Sequence, residues 1–186
     1  GLRAAFGEHW RAVAAALAHE PGVLMYDLLN EPWPGDVYDA ARFAAPGSWW
    51  YDSAAVEREV LAPFYAHLAA AIREVDTEHL IGYEPVMWDM WASGFGIGAP
   101  VSGDPTREAL SWHAYCWWAP NLTPSLSPLC ALYHRHLFAT HAFNMRVMGS
   151  AAIMSEYGSL GNRSVDLREL RRVGWLADVF LFSRVY

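Results

Sequence analysis

The chain has 186 residues, of which 54% are hydrophobic and 15% aromatic, enough apolar material for a sizeable core and too much for a disordered chain. Its formal net charge is -7 and its thirteen basic residues are all arginine, which excludes lysine Schiff-base chemistry and a Walker-type phosphate loop. An acidic chain without basic runs also lacks the positive charge that neutralises phosphate backbones, so no nucleic-acid partner is expected.

In chain order, Leu2 to Glu20 spaces Phe6, Trp10, Val13, Ala14 and Leu17 along one face of a helix, and Pro21-Gly22 stops it. The apolar run Val23 to Tyr26 leads through Asp27 into Asn30 and Glu31, after which Pro32 and Pro34-Gly35 forbid any further ladder. This predicts a buried strand whose C-terminal end presents the Glu31 carboxylate. An ordinary strand-ending turn would show the same Asn-Glu-Pro. Pro32 to Asp52 is a connection rich in Gly, Pro and aromatics, and loops of that length in compact domains are usually functional. From Ser53 the residues Val56, Val60, Leu61, Phe64, Leu68, Ile72 and Val75 follow helical spacing, with Pro63 expected to kink or restart the helix. A strand over Leu80 to Tyr83 ends at Glu84-Pro85.

Val86 to Arg107 is a second long loop. Its GFGIG run lacks the strand-turn-helix setting of a dinucleotide site and reads as flexible loop. Glu108 to Tyr115 predicts a strand that delivers His113 and Tyr115 to its C-terminal end, on one side by the period of two. Leu129 to Met148 predicts a helix, Gly149-Ser150 breaks it, and Ala151 to Ser155 predicts a last strand ending at Glu156. Ser164 or Asp166 caps a final amphipathic helix reaching about Phe182, and the closing Phe182 to Tyr186 does not read as a strand.

Cys116 and Cys130 flank an aromatic and proline-rich loop, and both a bridge between them in an oxidising compartment and two buried free thiols are open. Asn121-Leu122-Thr123 and Asn162-Arg163-Ser164 fit the glycosylation acceptor pattern, the first weakened by Pro124. No apolar run reaches membrane-spanning length, because Glu84, Asp89 and Asp178 interrupt the greasiest segments, so no transmembrane segment is expected. The start at Gly1, without a signal-type segment, points to a processed chain or a part of a longer product.

Strands alternating with helices imply an α/β fold with a parallel sheet, either doubly wound or part of an eightfold barrel, and the long loops after the strands favour the barrel. A complete barrel takes about 250 residues. A helix followed by four strand-helix units therefore predicts an incomplete (β/α)8 TIM barrel, with residues 1–186 as a single catalytic-domain fragment.

Two carboxylates at the mouths of different parallel strands are what glycoside hydrolysis requires, one to protonate the leaving oxygen and one to attack or to activate water. Glu31 and Glu156 form that pair. Seven of the ten tryptophans (Trp33, Trp49, Trp50, Trp88, Trp91, Trp117 and Trp118) fall in loops after strands, where sugar faces would stack and apolar aglycones would bury. Metal-dependent chemistry has little support: His134 and His136 diverge on a helix, no H-E-x-x-H occurs, and His113 has no ligand-spaced partner. Surface positions are expected for most of the eight histidines. No G-x-S-x-G elbow is present either.

The motifs LLNEPWPGD, SWHAYC and IMSEYG, in that order and with HLIGYEP between the first two, resemble the family five glycoside hydrolases and, among them, the endoglycoceramidase branch. The resemblance spans roughly Phe6 to Asn162. It implies a TIM barrel, no cofactor and no metal, and a retaining β-glycosidase that cleaves the glycan-ceramide linkage of glycosphingolipids by double displacement. A cellulase-like β-glucanase and a non-catalytic carbohydrate-binding or lipid-binding remnant are the alternatives. Carried over by position, Glu31 is the general acid/base and Glu156 the nucleophile. Asn30 binds the sugar 2-hydroxyl, and His113 and Tyr115 orient the nucleophile; from the loop aromatics, Trp33 and Trp117 are the expected substrate-binding tryptophans. The partner implied is a glycolipid or oligosaccharide, with peripheral contact to a membrane or micelle surface, in a secreted or endomembrane-lumenal setting. The arginine and histidine of the family's earlier strands, and the tryptophan of its last strand, have no counterparts here.

Overall fold

The computed structural model describes residues 1–33, 53–86, 93–96, 98, 100–116, 127–158 and 163–185. Helix α1 (Leu2–Leu17) leads into strand β1 (Met25–Asp27). Helix α2 (Ser53–Val56), a π-helical segment (Glu57–Leu61) and helix α3 (Ala62–Arg73) then follow without a break. Strands β2 (Leu80–Tyr83) and β3 (Glu108–Ala114), helix α4 (Ser127–Met148), strand β4 (Ala151–Tyr157), helix α5 (Ser164–Phe180) and strand β5 (Ser183–Arg184) complete the order.

The strands form one sheet in the order β1-β2-β3-β4-β5, and every pair is parallel. This order decides between the two architectures open from sequence. A doubly wound sheet reverses its strand order at a switch point, whereas a barrel adds each strand beside the last with its crossover on the same face. The fold is therefore an incomplete (β/α)8 barrel. Its helix-facing side carries Tyr26, Ile81, Tyr83, Leu110, Trp112 and Met154, all at 3% exposure or less. Trp112 packs edge-on against Phe138 of α4 at 4.9 Å between ring centroids and stacks on His141 at 4.4 Å. Tyr83 meets Tyr65 of α3 at 6.1 Å, and Phe6 of α1 stacks on Phe64 at 5.7 Å. These large rings close the sheet-helix layer, where dispersion and burial act together.

Pro63 stands where the continuous helical run changes from π-helical to α-helical. It lies in the first turn of α3, and the wider π-helical turn ahead of it accommodates the ring and the missing N–H. Within that turn Glu57 is fully buried, and its carboxylate accepts from Val86 N–H at 3.1 Å, Gly94 N–H at 2.7 Å and Ser93 Oγ–H at 2.9 Å. The described part of the GFGIG stretch is loop, as expected, and its first residues are held: Gly94 is tied to Glu57, and Phe95 is 5% exposed against Tyr83.

Two further expectations are corrected. A fifth strand exists at Ser183–Arg184, extended by the Val185 N–H bond to the Met154 carbonyl at 3.0 Å. Both of its residues are exposed, so it has no apolar signature to read. Strand β4 runs on through Glu156 to Tyr157 instead of stopping at Ser155. Six of the eight histidines keep some exposure, in line with the expectation for most of them; His134 and His141 are buried at 1% exposure, with Glu169 2.9 Å from Nδ1 of His134 and Trp112 stacked on His141. Asp166, not Ser164, caps α5: it accepts the Arg163 backbone N–H at 3.2 Å while pairing with the Arg163 guanidinium at 2.7 Å. The cysteines are bridged, Cys116 to Cys130. The first glycosylation pattern, Asn162 of the second, and Trp49, Trp50, Trp88, Trp91, Trp117 and Trp118 lie outside the described residues. No helix among the described residues is long and apolar enough to cross a membrane.

Candidate active site

The face of the sheet turned away from the helices carries polar side chains. Asp27 of β1 accepts a hydrogen bond from Ser111 Oγ of β3 at 2.6 Å, and Ser111 lies 2.6 Å from Ser155 Oγ of β4. Burial pushes the Asp27 carboxyl up to about 6; the Ser111 hydrogen bond works against the rise and the charge of Glu84 adds to it. Its Oδ1 is buried without a partner among the described residues.

Toward the C-terminal ends of the strands these groups give way to Glu31, Glu84, His113, Tyr115 and Glu156. His113 is the hub. Its Nδ1 lies 2.8 Å from Glu31 Oε1, and its Nε2 lies 3.2 Å from Glu84 Oε1 and 3.5 Å from Glu156 Oε1. Burial disfavours the imidazolium, yet the hydrogen bonds to Glu84 and Glu31 and the charges of Glu84 and Glu156 outweigh it and raise His113 to about 9. At neutral pH both ring nitrogens therefore donate, and the ring is a cation held among three carboxylates. Tyr115 donates its hydroxyl to Glu156 Oε2 at 3.2 Å.

Glu156 reaches this cluster through a defect in the ladder. Trp112 pairs with Met154, but His113 pairs with Glu156, so Ser155 is an extra residue in β4. Strict alternation would send Ser155 and Glu156 to opposite faces. With the bulge, Ser155 meets Ser111 and Glu156 meets His113, and both address the polar face. Glu31 is unusual in another way. Its φ is +43, in the left-handed region that a side chain rarely adopts, and Pro32 follows directly.

Of the residues expected from sequence, Glu31, His113, Tyr115 and Glu156 come together. Asn30 is exposed beside Glu31, and Trp33 is 50% exposed at the end of the described β1 connection. Trp117 lies outside the described residues. Glu84 was legible only as a strand-ending carboxylate, and Asp27, Ser111 and Ser155 gave a weaker signal still, as polar residues inside apolar strands. His113 does have partners with ligand atoms: one atom each from Glu31, His113 and Glu156 lie within 4.8 Å of one another.

Residues 2–180 match the family described as Cellulase (glycosyl hydrolase family 5). An endoglycoceramidase of Cyanea nozakii is 36% identical over 115 residues, covering 62% of this chain and 22% of that protein. Endo-glycoceramidase II from Rhodococcus sp. superposes with a TM-score of 0.82 at 25% identity, covering 100% of this chain and 40% of that one. The same Rhodococcus protein in its ganglioside GM3 complex superposes with a TM-score of 0.79 at 24% identity. The chain thus spans 22% of that curated relative and 40% of that solved one.

Proposed function

Because the chain belongs to glycosyl hydrolase family 5, we propose that the protein carrying it is a retaining β-glycosidase with Glu31 as general acid/base and Glu156 as nucleophile. The observation that carries this reading is the spacing of the two carboxylates. One oxygen of each lies within 4.8 Å of the other and of a His113 ring nitrogen, an approach that favours the close pairing of retaining enzymes, at ~5–5.5 Å between carboxyl groups, over the ~6.5–9.5 Å of inverting ones.

In this reaction a Glu156 oxygen attacks the anomeric carbon and forms the glycosyl ester, while the bond to the aglycone oxygen breaks and Glu31 delivers its proton there. Water then gives a proton to Glu31 and displaces Glu156, which restores the original configuration. His113 occupies Glu31 Oε1, so Oε2 is the oxygen free to carry the proton. Tyr115 holds Glu156 through a hydrogen bond from its hydroxyl to Oε2. Asn30, beside Glu31, is assigned to the sugar 2-hydroxyl, and Trp33 and Trp117 to stacking on substrate rings.

The substrate class is the glycan-ceramide linkage of glycosphingolipids. The endoglycoceramidase relatives and the GM3 complex of the Rhodococcus protein support it, and a lipid-embedded bond calls for peripheral contact with a membrane or micelle surface. The family description also supports a cellulase-like β-glucanase, which lactosylceramide and cello-oligosaccharides supplied side by side would separate. The open sheet supports a non-catalytic sugar-binding remnant if the other strands are never supplied.

The test of mechanism uses the chain completed with its remaining barrel strands. Glu156→Gly should be inactive and azide should restore turnover, yielding a glycosyl azide of inverted anomeric configuration. Retained configuration in that product would assign the nucleophile elsewhere.

A further inference from the structure

We propose that Glu84 is a positioning residue for the reaction, holding Glu31 in its working conformation through the Glu31 backbone and, by way of His113, through the Glu31 side chain. This rests on the reading of Glu31 as acid/base.

Three contacts close a ring. The Glu31 backbone N–H donates to Glu84 Oε2 at 2.8 Å. His113 Nε2 lies 3.2 Å from Glu84 Oε1. His113 Nδ1 lies 2.8 Å from Glu31 Oε1. One carboxylate therefore fixes both where the Glu31 main chain runs and where its carboxyl points.

The main chain at that point needs fixing. Glu31 has φ +43 and precedes Pro32, whose ring pushes the preceding residue toward extended backbone. A non-glycine residue stays in such a region only when its surroundings over-determine it. The bond to Glu84 is the contact that does so, because it takes up the Glu31 N–H in that orientation. Glu84 is itself immobile. It is 4% exposed, and its backbone carbonyl accepts the hydroxyl of Tyr65, a residue with no exposure, at 3.0 Å. A buried carboxylate needs donors, and among the described residues Glu84 has the Glu31 N–H and His113. Being buried behind Glu31 and His113, Glu84 acts through them and not on substrate.

The experiment compares Glu84→Gln with Glu31→Ala in the active protein that carries this chain, on two substrates. One is a glycolipid, whose leaving alcohol must be protonated, and the other a dinitrophenyl glycoside, whose leaving group needs no proton. The glutamine keeps the shape of Glu84 but presents an amide N–H to one of two donors, so the ring cannot close. Misplacement of the acid by this route should lower kcat/KM on the glycolipid about 100-fold. The value on the dinitrophenyl glycoside should stay within about 3-fold, and the Glu31→Ala/Glu84→Gln double variant should be no worse than Glu31→Ala alone. If Glu31→Ala shows the split between substrates and Glu84→Gln loses nothing, or loses equally on both, the positioning role is wrong while the acid/base reading stands. If Glu31→Ala shows no split, the acid/base reading fails first. Glu84→Asp is the second variant, keeping the charge but withdrawing it by one methylene, and it should show the same split. Loss of cooperative unfolding in both Glu84 variants would make Glu84 a folding residue and overturn the proposal.

Discussion

Tyr115 donates its hydroxyl to Glu156 at 3.2 Å, and the next residue, Cys116, is bonded covalently to Cys130 of α4. The disulfide thus anchors the strand end from which one proposed catalytic carboxylate is oriented. Closing a loop of 14 residues stabilises by about 3 kcal/mol in the chain-entropy account. For a domain of this size that corresponds to a fall of roughly 6–12 °C in Tm on reduction. We expect Cys116→Ser/Cys130→Ser to show this fall by calorimetry, and to lose activity at temperatures where it is still folded. Tyr115→Phe, with the bridge intact, should lose activity without the thermal shift.

The pH dependence of His113 has a definite sign. An unperturbed histidine titrates at 6.5, and in the fold His113 titrates at about 9. The folded state binds the proton more tightly, so the stability this contributes is fully present below about 6.5 and is lost as pH rises through about 9. The carboxylates facing the ring are Glu31, Glu84 and Glu156. Histidine-labelled NMR should find this one imidazole still charged at pH 8, and Glu84→Gln should lower its midpoint. A midpoint below 7 in the unaltered protein would contradict the cation-centred site.

Asp27 has the opposite dependence. Burial raises its carboxyl from 3.8 to about 6, so its folded form holds the proton more tightly, and that contribution is present below about 3.8 and lost as pH rises through about 6. Above that range a charge sits in a buried place with one oxygen unpartnered among the described residues. Asp27→Asn should therefore raise Tm at pH 8 and lose most of that gain at pH 4, as read by thermal unfolding at the two values. A gain that is equal at both would mean that charge burial is not its cause.

The sheet has edges at β1 and at the short, exposed β5. Unpaired parallel edges seek partners. The 186-residue chain expressed by itself should be inactive on glycosphingolipids and should aggregate, dimerise or require the remaining barrel strands. Size-exclusion chromatography, thermal unfolding and hydrolysis of a fluorescent glucosylceramide would decide this. A monomer that unfolds cooperatively and cleaves the lipid unaided would contradict it.

Local chemistry was legible in the sequence wherever a short stretch decides its own conformation. Pro21-Gly22 and Gly149-Ser150 mark helix ends, helical spacing marks α3 and α4, and Glu31, His113 and Glu156 stand at or near strand ends because prolines, loops and apolar runs bracket them. The resemblance of three ordered motifs carried the family assignment and the expected barrel. What the sequence could not decide depends on contacts between distant residues. Strand order separates a barrel from a doubly wound sheet, and it is set by which strands pair, not by any one strand. The bulge that turns both Ser155 and Glu156 to the polar face breaks the period of two on which sequence reading relies. Glu84 joins the site only because β2 lies between β1 and β3, which brings its carboxylate to the Glu31 backbone and to His113, residues 53 and 29 positions away. A carboxylate in sequence carries no mark of its partner, because hydrogen bonds act over about 3 Å of space whatever the length of chain between them.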